Sequence, residues 1–249
     1  MTVLAAHLID AGILFTDGER ILCREPGFAL LEDKGLTTGR EAWASASLEP
    51  RRIQNRYWSD LRAEPLVDTR FRHLTAADLV SKQLEELWNR VSRPGDRLAL
   101  AVPGYMGNDN LGLLLGIAMD LDIPVVAMVD AAVAATRRHY VNAVPVHVDL
   151  GLHSAVLTRL SQDGQVQFER GAVVEASGML SLYDVWLRLI AETFVQQSRF
   201  DPLHTAETEQ VLQDSILNWL QIAASQDSVP MKVVYRGISH DAEIESLQL

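Results

Sequence analysis

Asp149, His153 and Ser154 lie within six positions of one another and are the residue types of a hydrolytic triad. An acyl-transfer serine needs a strained strand-to-helix turn of the Gly-x-Ser-x-Gly type to expose its hydroxyl, and no such segment surrounds Ser154. His147 and His153 lack a carboxylate-histidine partner at ligand spacing, so no metal centre is expected from them. Asp149-Leu150-Gly151 reads as an acidic strand end running into a turn, because Asp and Gly favour turn backbone. Asp130, just before Ala131-Ala132-Val133, has the position of a helix cap as much as that of a metal-shell carboxylate. Cys23 is the single cysteine and falls within a strand pattern, so it reads as a small apolar core residue.

The elements that must carry these residues follow from periodicity. Residues 3–8, 12–15, 20–23 and 28–31 read as short strands, with Asp17-Gly18 as a hairpin turn. Gly39 to Ala44 starts a helix that stops near Pro50. Thr75-Ala76-Ala77-Asp78 is a capping-box-like start, and Val80, Leu84, Leu87, Trp88 and Val91 share one helical face. A strand at 98–102, a helix at 108–121, a strand at 124–128, a short helix at 131–140 and a strand at 144–150 follow. That alternation predicts an α/β fold, a layered sheet covered by helices. Beyond Gly151 come strands at 154–160 and 165–174, turning at Asp163-Gly164. Helices from about 178 and over 205–224 follow, then a strand at 231–235. Two lobes are expected, residues 1–143 with a small insertion around 28–75, and residues 144–249.

Composition narrows the classes. The net charge of −11 disfavours a phosphate-backbone partner, because nucleic-acid binding depends on clustered Lys and Arg. The one basic bunch, Arg51-Arg52 to Arg56, reads as a solvated face or an internal charge contact. No run approaches the roughly 18 apolar residues that span a bilayer, and the first residues lack a signal peptide's basic flank. With one cysteine, a reducing, cytoplasmic setting is expected.

Several segments in series carry a resemblance. Ala99-Leu100-Ala101-Val102-Pro103-Gly104-Tyr105 is similar to the strand-Val-Pro-Ala-Tyr-Phe segment of DnaK-type heat-shock chaperones. Ile123 to Ala135 resembles their strand ending in Asn-Glu-Pro-Thr-Ala-Ala-Ala. Val148-Asp149-Leu150-Gly151-Leu152-His153-Ser154 falls where that family has Asp-Leu-Gly-Gly-Gly-Thr. Thr38 to Ala42 and Ile53 to Trp58 fall at its Gly-x-x-Ala helix and its phosphate-facing lysine region. The resemblance runs over essentially the whole chain with order and spacing preserved.

It implies the actin-like ATPase (ribonuclease H-like) two-lobe fold, with ATP held between lobes by two Gly-rich turns. Small residues there let backbone N–H groups approach phosphate, and carboxylates hold Mg²⁺, usually through water. Carried over residue by residue, Asp149 holds Mg²⁺, Gly151 and Ser154 belong to the second phosphate turn, and Asp130 stands at the connecting glutamate. Arg56 stands at the lysine. Leu152 and His153 replace two glycines of that turn. For the first turn, Asp-x-Gly-Thr-Thr, two registers are open. Counting back from Asp17 without gaps puts Ala5 at the aspartate and Leu8-Ile9 at the threonines, and this register is favoured. Matching identity puts Asp10 and Gly12 in place, with Ile13-Leu14 at the threonines. In either register the cradle is damaged.

The family's closing strands, with the Gly-Gly turn over adenosine, would follow the region where this sequence stops. The resemblance therefore implies a DnaK-like nucleotide-binding-domain protein that binds ATP and Mg²⁺ weakly or not at all and works through a protein partner. The alternatives are an active ATPase or small-molecule kinase completed by further residues, and a dimerising scaffold without nucleotide.

Overall fold

The computed structural model describes residues 2–33 and 35–248. Burial alternates through Val3–His7 (β1), where Leu4 and Ala6 are in the core and their neighbours are more exposed. β1 runs antiparallel to Ile13–Thr16 (β2), which pairs with Ile21–Glu25 (β3). Asp17-Gly18 turns that second hairpin, and Gly18 has φ of 93°, a left-handed conformation that costs glycine nothing. Ala29–Glu32 (β4), Gly35–Thr38 (β5) and, after the short helix Gly39–Trp43 (α1), Ile53–Gln54 (β6) make a small three-stranded sheet in the order β5-β4-β6.

Ala76–Val91 (α2) begins at the expected capping box. The Thr75 hydroxyl accepts from the Asp78 N–H at 3.1 Å, and the Asp78 carboxylate accepts from the Thr75 N–H at 2.8 Å. Val80, Leu84 and Leu87 of the expected face are buried, and Trp88 and Val91 pack at the edge of the same core. Arg97–Val102 (β7), the helix Asn108–Asp120 (α3), Val125–Asp130 (β8) and the helix Ala131–Ala135 (α4) complete the alternation. β1, β7 and β8 run parallel, and the larger sheet has the order β3-β2-β1-β7-β8. Parallel strands need crossover connections, which α2 and α3 supply.

α4 ends at Ala135, short of the expected Tyr140. Thr136 turns extended, and the Gln162 side chain accepts from the Tyr140 N–H and donates to the Arg138 carbonyl. A distant side chain thus takes the backbone groups that further helix would have used. Val146–Leu150 (β9), Ser154–Ser161 (β10) and Gln167–Glu175 (β11) then form an antiparallel sheet in the order β11-β10-β9.

Met179–Ser198 (α5), Ala206–Ala223 (α6), Ser228–Tyr235 (β12) and Ile238–Glu245 (β13) follow. The chain divides into two compact units. One contains Arg52–Met179 and the chain before Ala44; the other contains Ala44–Arg51 and the chain from Leu180 onward. β9, β10 and β11, assigned from sequence to a second lobe, cluster with the first unit, and the division falls after Met179. In the second unit Ile190 and Phe194 of α5, Ile216 and Trp219 of α6, and Val229 and Val233 of β12 share one core. Arg236 and Gly237, both at positive φ, make the two-residue turn between β12 and β13. The molecule is thus mixed α/β, with several sheets and six helices among the described residues.

Candidate functional site

Two turns of the first unit meet. The first, between β1 and β2, spans residues 8–12 and is closed by the Gly12 N–H on the Ile9 carbonyl at 2.9 Å. Asp10 sits at its tip, only 2% exposed, and its carbonyl accepts from Gly27 N–H at 2.7 Å. The register Ala5↔Thr16, Ala6↔Phe15 and His7↔Leu14 leaves no room for a longer loop. Ala5, which the favoured register puts at the aspartate, lies mid-strand in β1, whereas Asp10 and Gly12 of the other register lie in this turn. Burial of Leu4, Ala6 and Leu8 on one side fixes the pairing of β1 with β2, because slipping one residue would turn the whole apolar set outward.

The second turn joins β9 to β10, with the Gly151 N–H on the Ser154 carbonyl at 2.9 Å. Its Leu152 N–H donates to Asp10 Oδ1 at 2.7 Å. A Cβ on Gly151 would lie 2.8 Å from that oxygen, so the carboxylate rests directly over the glycine. Behind the turn, a Cβ on Gly178 would come within 2.5 Å of the Leu152 carbonyl, and the Met179 N–H donates to the Gly151 carbonyl at 2.8 Å. Burial raises the Asp10 carboxyl above the usual carboxylate range, against the lowering effect of the Leu152 and Ala11 N–H groups and of the Arg56 charge.

Asp149 and His147 are two apart on β9 and so share a face. His147 Nε2 lies 3.0 Å from Asp149 Oδ1, and His7 Nε2, from the end of β1, lies 3.7 Å from the same oxygen. Both nitrogens are buried without a hydrogen bond, and each imidazole pairs with the carboxylate as an ion only when protonated. Burial lowers the His7 pKa, and the Asp149 carboxylate opposes that shift. The Tyr105 hydroxyl is also buried without a hydrogen-bond partner. Burial, reinforced by the negative charges of Asp10 and Asp149, pushes its pKa up.

Other residues singled out from sequence stand nearby or apart. Ser154 opens β10 and is buried. Asp130 caps α4, its Oδ1 accepting from Ala132 N–H at 2.8 Å and Val133 N–H at 3.3 Å. Its Oδ2 faces Gly104, where a Cβ would sit 3.1 Å away. Arg56 is exposed and acts on Asp10 and His153 through its field. His153 Nε2 lies 3.1 Å from the Asn55 carbonyl and 3.0 Å from Asn55 Oδ1, an arrangement that suits an Nε2–H donor. Burial and the Arg56 charge lower its pKa. Among the described residues, no group of three His, Cys, Asp or Glu side chains is placed to hold a metal ion. Cys23 is half-buried at the edge of the main core.

Sequence reasoning passed over His7, and it weighed His147 only as a metal ligand and set it aside. The two-residue spacing of His147 and Asp149 in a strand was the available signal for the second. Nothing local marks His7, which reaches Asp149 only through the packing of β1 near β9. Chemically, the Leu152 amide of the second turn already holds the Asp10 carboxylate, and Asp149 is faced by two imidazoles.

No protein-family model matches this chain, and no curated protein is detectably similar to it. No helix among the described residues is long and apolar enough to cross a membrane.

Proposed function

We propose that this chain is a DnaK-like, actin-like-ATPase-type domain with degenerate phosphate turns, which binds Mg·ATP weakly or not at all and acts through protein contacts. The observation that carries this reading is the environment of Asp149. The carboxylate that the resemblance assigns to a hydrated Mg²⁺ has His147 Nε2 at 3.0 Å and His7 Nε2 at 3.7 Å. A magnesium ion keeps most of its water shell and is held through oxygen, so imidazoles crowded against the carboxylate oppose it. The central β1, the paired turns and the carboxylates at strand ends are consistent with the superfold; Leu152 and His153 depart from its phosphate chemistry. On this reading Asp130 serves as a helix cap, and Gly151, Ser154, Arg56 and Gly12 are relics of a nucleotide site.

The test is calorimetric titration of Mg·ATP into the purified chain, with Asp149→Ala alongside. No heat of binding up to millimolar ATP is expected. Micromolar binding that Asp149→Ala abolishes would replace this reading with a working ATPase or kinase. The exposed apolar sheet face described next also favours a scaffold role, in which nucleotide plays no part.

A further inference from the structure

The β9-β10-β11 sheet exposes one face, and its cross-strand registers group the residues in rows. Leu150, Ala155 and Val174 form one row, and Val148, Leu157 and Ala172 the next. The third row is Val146, Arg159 and Arg170. Val146 is 53% exposed, Val148 52%, Leu150 41% and Val174 42%. Isolated exposed apolar residues are ordinary, whereas these four share one face of a single sheet. Arg159 is held by Glu169 at 2.8 Å, and exposed Arg170 lies beside it in the same row.

We propose that this face docks one amphipathic helix of a partner protein, with its apolar stripe on Val148, Leu150 and Val174 and acidic side chains at the end over Arg159 and Arg170. The inference rests on the reading that the chain acts through protein contacts. Dimensions select a helix. Three strands about 4.8 Å apart span about 10 Å, the width of one helix with its side chains. Three rows two residues apart cover about 14 Å along the strands, the length of about nine helical residues. Such a patch is small beside the roughly 800 Å² per partner of a standard interface, which argues against a second copy packed face to face. An added strand on the β9 edge would leave Leu157 and Val174 uncovered. Charge selects the polarity: with Arg159 paired to Glu169, exposed Arg170 leaves the row one net positive charge, which a carboxylate complements and a basic helix would oppose.

The probe is a fluorescein-labelled, 14-residue amphipathic peptide carrying three Glu at one end, compared with the same peptide carrying three Lys there. Anisotropy titrations are expected to give binding to the acidic peptide at least tenfold tighter than to the basic one. Val148→Glu, at an exposed position, should weaken both. Arg159→Glu with Arg170→Glu should reverse the preference. Equal binding of the two peptides, no binding of either, or indifference to Val148→Glu would overturn the proposal. So would a wild-type dimer in light scattering that Val148→Glu dissociates, since the face would then belong to a second copy. Nucleotide binding has its own readout, so a positive Mg·ATP titration would sink the proposed function while these peptide results alone decide the docking face.

Discussion

The two turns that meet in the first unit make opposite contributions. The turn at residues 8–12 offers a charge: Asp10 is carried on a short loop whose own backbone is closed by Gly12. The turn at Gly151–Ser154 offers backbone: Gly151 has no side chain to obstruct the approach, and the Leu152 N–H points at the carboxylate. Each satisfies the other. A buried carboxylate without donors and a buried amide without an acceptor would each cost free energy, and together they form one charge-assisted hydrogen bond. Beside them, Asp149 is faced by the imidazoles of His147 and His7. A constellation that resembles an anion-and-metal cradle in sequence thus closes on itself in three dimensions.

The largest expected effect lies behind the second turn. Gly178→Ala would place a methyl group 2.5 Å from the Leu152 carbonyl, which is backbone and cannot rotate away. Overpacking of this kind is expected to cost about 3 kcal/mol in urea unfolding. A loss below about 1 kcal/mol would show that the turn yields, and with it the tight seat for Asp10. Next, Asp10→Ala removes the acceptor of the Leu152 N–H and is expected to cost about 2 kcal/mol, the scale of a buried donor left unsatisfied. Loss of amide-exchange protection at Leu152 in that variant would localise the effect to this bond.

A smaller effect separates charge from shape. The folded-state carboxyl of Asp10 is raised by burial, so its ionisation opposes folding. The stability associated with the neutral acid is fully present below the unfolded value of about 3.9 and is lost as pH rises through the higher folded value. Asp10→Asn keeps an acceptor but cannot ionise. Its stability relative to wild type is therefore expected to improve from pH 4 to pH 7. A flat difference across that range would mean that Arg56 and the turn amides fully offset the burial. The smallest effect concerns His7. Asp149→Asn removes the carboxylate that raises its pKa, so the His7 titration followed by NMR should move further down. An upward movement would overturn the charge contact.

Much of the fold was legible because it depends on short-range rules. The Asp17-Gly18 turn, the Thr75–Asp78 capping box and the apolar face of α2 each follow from residues a few positions apart. The two short strands β5 and β6 were not read, because Gly35 to Thr38 and Ile53-Gln54 carry little apolar pattern and become strands only by pairing with β4. The early stop of α4 was hidden for a related reason, since Gln162 captures its next backbone groups from 22 and 24 residues away.

The same division runs through the site. By itself the sequence determined which residue types were available: carboxylates at strand ends, Gly151 where backbone must come close, and Leu152 and His153 where glycines would open a cradle. It did not place Ala5 or Asp10 in space. Only the tertiary structure shows Ala5 within β1 and Asp10 in the turn, with Leu4, Ala6 and Leu8 buried together. It also decided that His7 stands against Asp149, 142 positions away, and that Asp10 fills the turn at Leu152. These contacts depend on how strands distant in sequence are brought together, which no periodicity along the chain encodes.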